Sequence, residues 1–183
     1  LYAPTFSPKY QSSEVLFKSI ENAQKYEFNW FVKFHALEKI SIIEKYKTLI
    51  SKSFHIIEND DILEIMKEAD ILLTDTSSVA YEFLLFDRPI ITYNAITRFE
   101  KGINILNPDD LIGAIIRSIE DPNEFKQSRI EILKDLHPYT DGKSSKRLIE
   151  TIFEIINSGE LKKLHPKPRN WYQKRQIQKF ISS

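Results

Sequence analysis

Two kinds of apolar pattern alternate along this chain. Short unbroken runs such as Ile71-Leu72-Leu73 and Ile90-Ile91 hold no polar residue, as expected of strands covered on both faces. Between such runs, apolar residues recur every three or four positions, as in Leu16, Phe17, Ile20 and Ala23, the spacing of a helix with one buried face. The pattern predicts strands at residues 1–3, 29–34, 54–57, 71–74, 89–93 and 102–106. It predicts helices at 13–26, 37–51, 61–68, 78–86, 109–120, 122–136 and 144–157, with a loop at 94–101. Strands alternating with helices imply βαβ units and right-handed crossovers, so the expected fold is α/β, a Rossmann-like parallel sheet flanked by helices. There is no internal repeat and no low-complexity tract.

The junction around residue 75 is the most informative place in this frame. Ile71-Leu72-Leu73 runs through Thr74 into Asp75-Thr76-Ser77-Ser78 and then into an apolar helix beginning near Val79. Open α/β sheets bind ligands beyond the carboxyl ends of their strands, and the first amides of the next helix are unpaired donors with partial positive charge. Asp75, Thr76, Ser77 and Ser78 are therefore candidates for holding a phosphate. Asp, Thr and Ser also favour N-caps, so plain capping is the competing reading. Glu82 lies four residues after Ser78 in an otherwise apolar segment, where a carboxylate needs a partner such as ribose hydroxyls.

Three further places carry candidate chemistry. His35 follows the strand at 29–34 on the expected ligand edge, two residues from Lys33, so the pair could counter phosphate charge; a His capping the next helix is the alternative. Asp141-Gly142-Lys143-Ser144 repeats the logic of a turn, a mobile cation and a cap, with Lys143 and Ser144 as phosphate candidates or as an ordinary capped helix start. Arg98 lies in the loop at 94–101 and is a candidate for a base or phosphate, although connecting loops look the same. His55 reads as structural, and His137 as a weaker second candidate.

Composition narrows the chemistry. The 183 residues contain no cysteine, which removes thiolate metal sites and Cys nucleophiles and fits a cytoplasmic protein. Gly102, Gly113, Gly142 and Gly159 cannot form a dinucleotide fingerprint or a P-loop, and the four histidines lack metal-site spacing; no metal or cofactor is expected. No apolar run approaches membrane-spanning length, and no signal segment opens the chain. A chain of this size can bury about 70% of its unfolded surface without a staple.

The residues also carry a family resemblance. Thr74-Asp75-Thr76-Ser77-Ser78-Val79 through Glu82-Phe83-Leu84, then Asp87-Arg88-Pro89-Ile90-Ile91, resembles the nucleotide-binding half of the CDP-glycerol glycerophosphotransferases, the teichoic acid polymerases and their relatives. Leu1-Tyr2-Ala3-Pro4-Thr5 resembles the opening strand of that half, and Lys33-Phe34-His35 its Lys-x-His strand end, with Phe34 where the pattern has Pro. Asp141-Gly142-Lys143-Ser144-Ser145-Lys146-Arg147 resembles its Asp-Gly-Lys helix start, so the likeness covers residues 1 to about 157.

The resemblance implies the C-terminal half of a glycosyltransferase-B-type (GT-B) enzyme that moves an alditol phosphate from a CDP-alditol to a hydroxyl acceptor of a growing cell-wall or capsular polymer. It implies that Ser77 and Ser78 hold the pyrophosphate, Glu82 the ribose, and His35 with Lys33 the transferring phosphate. The acceptor site would belong to a missing N-terminal half, consistent with a chain that opens at Leu1 directly on a strand. Two readings stand beside it: a UDP-sugar enzyme such as a UDP-N-acetylglucosamine 2-epimerase, whose expected Gly pair is absent at Ser77 and Ser78, and a non-catalytic α/β interaction domain.

Two segments are expected: a nucleotide-binding domain at 1–158 and a basic tail at 159–183. From Leu161 onward there are seven Lys or Arg residues and no acid, so the neutral total conceals a strong asymmetry. Asn170 can cap a final helix with Trp171, Ile177, Phe180 and Ile181 as its apolar side, while Pro166 and Pro168 stiffen the approach. That helix is expected to pack on the missing half; an anionic membrane surface at the inner face of the plasma membrane is the alternative. No nucleic acid partner is expected.

Overall fold

The structure is a computed structural model that describes residues 1–58, 61–163 and 170–181. It divides into two units, Leu1–Pro138 and Tyr139–Ser183. The first contains strands β1 (Trp30–Val32), β2 (Phe54–Ile56), β3 (Leu72–Thr74), β4 (Ile90–Tyr93) and β5 (Ile103–Ile105). Between and after them lie helices α1 (Phe17–Ala23), α2 (Ile40–Lys47), α3 (Ile62–Glu68), α4 (Val79–Phe83), α5 (Leu111–Glu120) and α6 (Lys126–Leu136).

All strand pairs are parallel. The opening segment contributes a single bridged residue, Tyr2, which pairs with Val32 of β1 on one side and Leu73 of β3 on the other. The spatial order is therefore β2, β1, Tyr2, β3, β4, β5. Counting Tyr2 as the first position, this is the 3-2-1-4-5-6 order of the doubly wound fold, whose topological switch point falls between the first and fourth positions. Here that point lies between Tyr2 and β3.

The unbroken apolar runs explain the double covering. Successive strand residues point to opposite faces. Tyr2, Leu73 and Ile91 accordingly join one buried cluster with Leu16, Phe17, Ile20, Tyr46 and Leu111, from the helices of one layer. Leu1, Ala3, Leu72 and Ile90 join the other, with Met66, Ala80, Phe83 and Ile132.

The elements are shorter than the periodicity predicts, for identifiable reasons. The expected helix at 13–26 is regular only from Phe17 because Ser12 and Ser13 turn their hydroxyls to distant buried carboxylates. The expected helix at 37–51 begins at Ile40, after Glu38 has taken the amide of Lys39. The helix at 78–86 tightens at Leu84–Phe86 into a 3-10 turn and stops at Asp87, which is left-handed with φ 48°. Asp87 pairs there with Arg129 of α6, a side chain 2% exposed, and Arg88 donates to the carbonyls of Lys67 and Ala69. Gly102 is demanded by contact: a Cβ there would stand 1.9 Å from the Ile90 carbonyl oxygen.

In the second unit, α7 (Ser144–Ser158) ends at Gly159 with φ 74°, where a glycine carries no Cβ penalty. The serine caps expected at its start are not formed. Asp141 instead accepts from the Lys143 amide and pairs with Arg147, whose guanidinium lies 4.0 Å from the Tyr139 ring centroid. These interactions hold the Asp141 carboxyl down at about 2. The final helix α8 (Trp171–Ile181) forms, with Trp171, Tyr172 and Ile177 exposed. Asn170 donates to the Gln173 side chain. The stiff approach expected at Pro166 and Pro168 lies outside the described residues, as do the side chains of Phe180 and Ile181.

Candidate functional site

The carboxyl ends of the central strands carry three loops: residues 4–13 after Tyr2, 33–39 after β1, and 75–78 after β3. They are bound together by two buried acids. Asp75, 1% exposed, accepts through Oδ1 from the Thr5 amide at 2.9 Å and through Oδ2 from the Ser12 amide at 3.0 Å and the Ser12 hydroxyl at 2.7 Å. Its carboxylate thus spans the switch point. Burial pushes its pKa up to about 6, against the pull of the donors from Ser12 and Thr5. Glu38 accepts from Gln11 Nε2, from the Ser13 hydroxyl at 3.1 Å and from the Lys39 amide at 2.8 Å.

His35 is exposed beside this pair. Its ring stacks on Phe6 with centroids 4.2 Å apart and 27° between planes, and its Nδ1 accepts from the Leu37 amide at 3.1 Å. With Nδ1 engaged as acceptor, the neutral ring carries its proton on Nε2, which leaves Nε2–H as a donor. Lys33 does not stand with it. The strand ends at Val32, so the alternation that would align the two side chains stops, and Lys33 Nζ donates to the Glu58 carbonyl at 2.9 Å.

Around β3 the hydroxyls divide. Thr76 Oγ1 is buried and has no hydrogen-bond partner among the described residues, a state that normally signals a missing polar neighbour. Ser77 Oγ accepts from the Val79 amide at a long 3.4 Å, and Ser78, at the cap position of α4, makes no side-chain cap bond. Glu82 is exposed rather than buried among the apolar residues of its helix. The desolvation argument that its carboxylate needs a partner therefore lapses; the group is open to solvent.

Arg98 departs furthest from expectation. The loop at 94–101 leaves the carboxyl edge with β4 but descends to the opposite edge, where Gly102 abuts the first residue of β4. Arg98, left-handed with φ 47°, pairs there with Asp135 of α6 at 2.6 Å. Lys143 and Ser144 are exposed residues of the second unit. His55 is exposed on β2 and within 3.1 Å of the Lys52 carbonyl, and His137 caps the carboxyl end of α6.

Sequence reasoning missed Phe6, Ser12 and Glu38. Phe6 and Ser12 lie in what reads as featureless loop, and Glu38 as one acid among several near a helix start. No local signal marks them, because their partners lie 25 to 63 residues away or across a strand. No group of three or more His, Asp or Glu side chains suited to a metal occurs among the described residues.

The sequence pattern of the family described as CDP-Glycerol:Poly(glycerophosphate) glycerophosphotransferase matches residues 1–154. The teichoic acid glycerol-phosphate primase of Bacillus subtilis (strain 168) is 31% identical over 171 residues, covering 86% of this chain and 44% of that protein. The chain thus spans less than half the length of this relative. Among solved structures, MnaA of S. aureus in a UDP co-structure has a TM-score of 0.61 at 17% identity, over 85% of this chain and 46% of that one. The wall teichoic acid polymerase TagF has a TM-score of 0.52 at 18% identity, over 86% and 43%. At these identities the two structures establish the GT-B type of fold.

Proposed function

Because the chain belongs to the CDP-glycerol:poly(glycerophosphate) glycerophosphotransferase family, matched over residues 1–154, we propose that it is the donor-nucleotide-binding domain of a transferase that moves glycerol phosphate from CDP-glycerol to a hydroxyl acceptor in wall-polymer synthesis. The observation that carries the reading is the convergence of the 4–13, 33–39 and 75–78 loops at the switch point of the sheet. Such crevices are where doubly wound folds take nucleotides.

In this reading the acceptor hydroxyl oxygen attacks the glycerol-bearing phosphorus, the bond from that phosphorus to the bridging oxygen breaks, and CMP leaves with that oxygen. The acceptor proton passes to a base in the other half of the enzyme. Phosphoryl transfer depends chiefly on positioning and on donors aimed at the developing charge. Thr76, Ser77 and Ser78, with the amides at the start of α4, hold the pyrophosphate; the unpaired Thr76 hydroxyl is the group with most to gain. Glu82 takes the ribose hydroxyls, and its exposure leaves it accessible to them. His35 donates from Nε2 to a phosphoryl oxygen, with Lys33 as a nearby cation once released from Glu58. Asp75 serves by holding residues 5–12 rather than by touching phosphate. Lys143 and Ser144, in the second unit, are assigned as phosphate-binding residues by their place at the start of α7. Residues 1–158 are assigned as the nucleotide-binding domain, and the basic helix α8 packs on the N-terminal half of a protein that works at the cytoplasmic face of the membrane. Among the described residues no helix is long and apolar enough to cross one.

Calorimetric titration with CMP, UMP and CDP-glycerol tests the assignment. Tighter binding of CMP and CDP-glycerol than of UMP is expected. A preference for UMP would point to a UDP-sugar enzyme, and no binding of any of the three to an interaction domain.

A further inference from the structure

The aromatic stack at the switch point has a use that the nucleotide assignment leaves untouched. Phe6 is 38% exposed, at the crest of a loop that has no secondary structure of its own, yet its ring lies flat on His35. The loop is anchored on both sides of that crest. Asp75 grips the Thr5 amide immediately before Phe6 and both the amide and hydroxyl of Ser12 after it. Glu38, three residues beyond His35, holds Gln11 and Ser13, and the Glu38 amide donates to the His35 carbonyl at 2.9 Å. The same acid therefore links the far end of the 5–12 loop to the turn that carries the histidine.

We propose that Phe6 is a positioning residue for His35, and that the 5–12 loop, clamped by Asp75 and Glu38, is the device that holds its ring against the imidazole.

The imidazole has two restraints: the Leu37 amide at Nδ1 fixes the edge, and Phe6 fixes the plane. An exposed histidine with only the first could swing about that hydrogen bond, so Nε2–H would sweep an arc rather than point at one oxygen. Donors contribute most when their direction is set before the charge develops. An aliphatic side chain at position 6 would fill some of the volume but offer no flat face, whereas tyrosine would keep it. The Asp75 clamp is similarly specific. Asparagine has a single acceptor oxygen, and its amide nitrogen would confront a backbone N–H of Thr5 or Ser12, so one end of the loop would come free.

The catalytic part of this proposal rests on His35 acting on the transferring phosphate; the positioning part does not, and the test separates them. In the 183-residue chain, the His35 ring proton resonances are followed by NMR in the wild type, Phe6→Leu, Phe6→Tyr and Asp75→Asn. In the full-length enzyme, kcat and KM for the CDP-glycerol donor are measured for the same variants and for His35→Gln. Phe6→Leu is expected to abolish the upfield ring-current shift of His35 and to lower kcat on the order of tenfold with KM for the donor little changed. Phe6→Tyr should retain both, and Asp75→Asn should resemble Phe6→Leu in the His35 resonances. Unmoved His35 resonances in Phe6→Leu would overturn the positioning claim, as would loss of both resonance position and turnover in Phe6→Tyr. If His35→Gln turned over normally, the catalytic role of His35 would fall, while the resonances would still decide whether Phe6 positions its ring.

Discussion

The loops that follow β3 and β4 leave the same edge of the same sheet, yet they reach opposite ends of the molecule's chemistry. After β3, Asp75 turns inward and gathers residues 5–12 over the carboxyl edge, where Phe6 stacks on His35. After β4, Asn104 of β5 pulls the chain down: its side chain bonds the Thr92 hydroxyl and both the amide and carbonyl of Ala95. The loop then runs to the other edge, where Lys101 is buried against the Tyr81 ring and Arg98 meets Asp135. A place after a strand is thus not sufficient for a site. What differs is the anchoring: Asp75 holds the 5–12 loop at the carboxyl edge, whereas the 94–101 loop returns to the amino edge to begin β5.

The contrast is broken most forcefully at Asp75. Asp75→Ala should cost about 3 kcal/mol, because three donors around the buried carboxylate lose their acceptor, and urea unfolding would measure it. The same group gives a pH signature. Its folded pKa of about 6 lies above the ordinary carboxylate value of 3.8, so between those two values the native state binds more protons than the unfolded chain. Asp75's contribution to stability is therefore fully present below about 4 and is lost as pH rises to about 6, by up to about 3 kcal/mol. Comparing unfolding curves of the wild type and Asp75→Asn across this window should show the slope in the former alone.

On the β4 side, Asn104→Ala should cost about 2 kcal/mol and loosen the 94–101 loop without changing nucleotide affinity. Ser77→Ala and Ser78→Ala should each weaken CMP binding by about 0.5 to 1.5 kcal/mol at unchanged stability, read by calorimetry. Arg98→Ala should be the mildest, below about 1 kcal/mol in stability, since its ion pair is solvent-accessible, and neutral for CMP. A large loss of affinity there would return the β4 loop to the site.

The parallel α/β architecture was legible because burial on both faces forces apolar runs such as Ile71-Leu72-Leu73 and Ile90-Ile91, and the six expected strands fall where the sheet has its six positions. The β3 junction was legible because strand, hydroxyl loop and helix follow one another locally. Asp75's duty was not, since its partners Thr5 and Ser12 are far away in sequence and a carboxylate in a loop looks alike whether it faces ligand or backbone. Glu82 misled because apolar neighbours in sequence do not bury a side chain when they occupy the other faces of the helix. Arg98 misled because the connection between parallel β4 and β5 has to return to the amino edge, and Arg98 falls on that return, beside Asp135, rather than at the carboxyl edge. Lys33 and His35 read as a pair only while the strand was assumed to continue past Val32.

The central claim is that nucleotide binds where the β3 loop and the 5–12 loop meet. Amide chemical-shift mapping of the 183-residue chain with CMP tests it most directly. The account predicts shifts concentrated at Thr5, Phe6, His35 and Thr76 through Val79, with Arg98 through Lys101 unmoved. Shifts centred on the Arg98 loop, or a saturating CMP titration that leaves Thr76 through Val79 unperturbed, would contradict it.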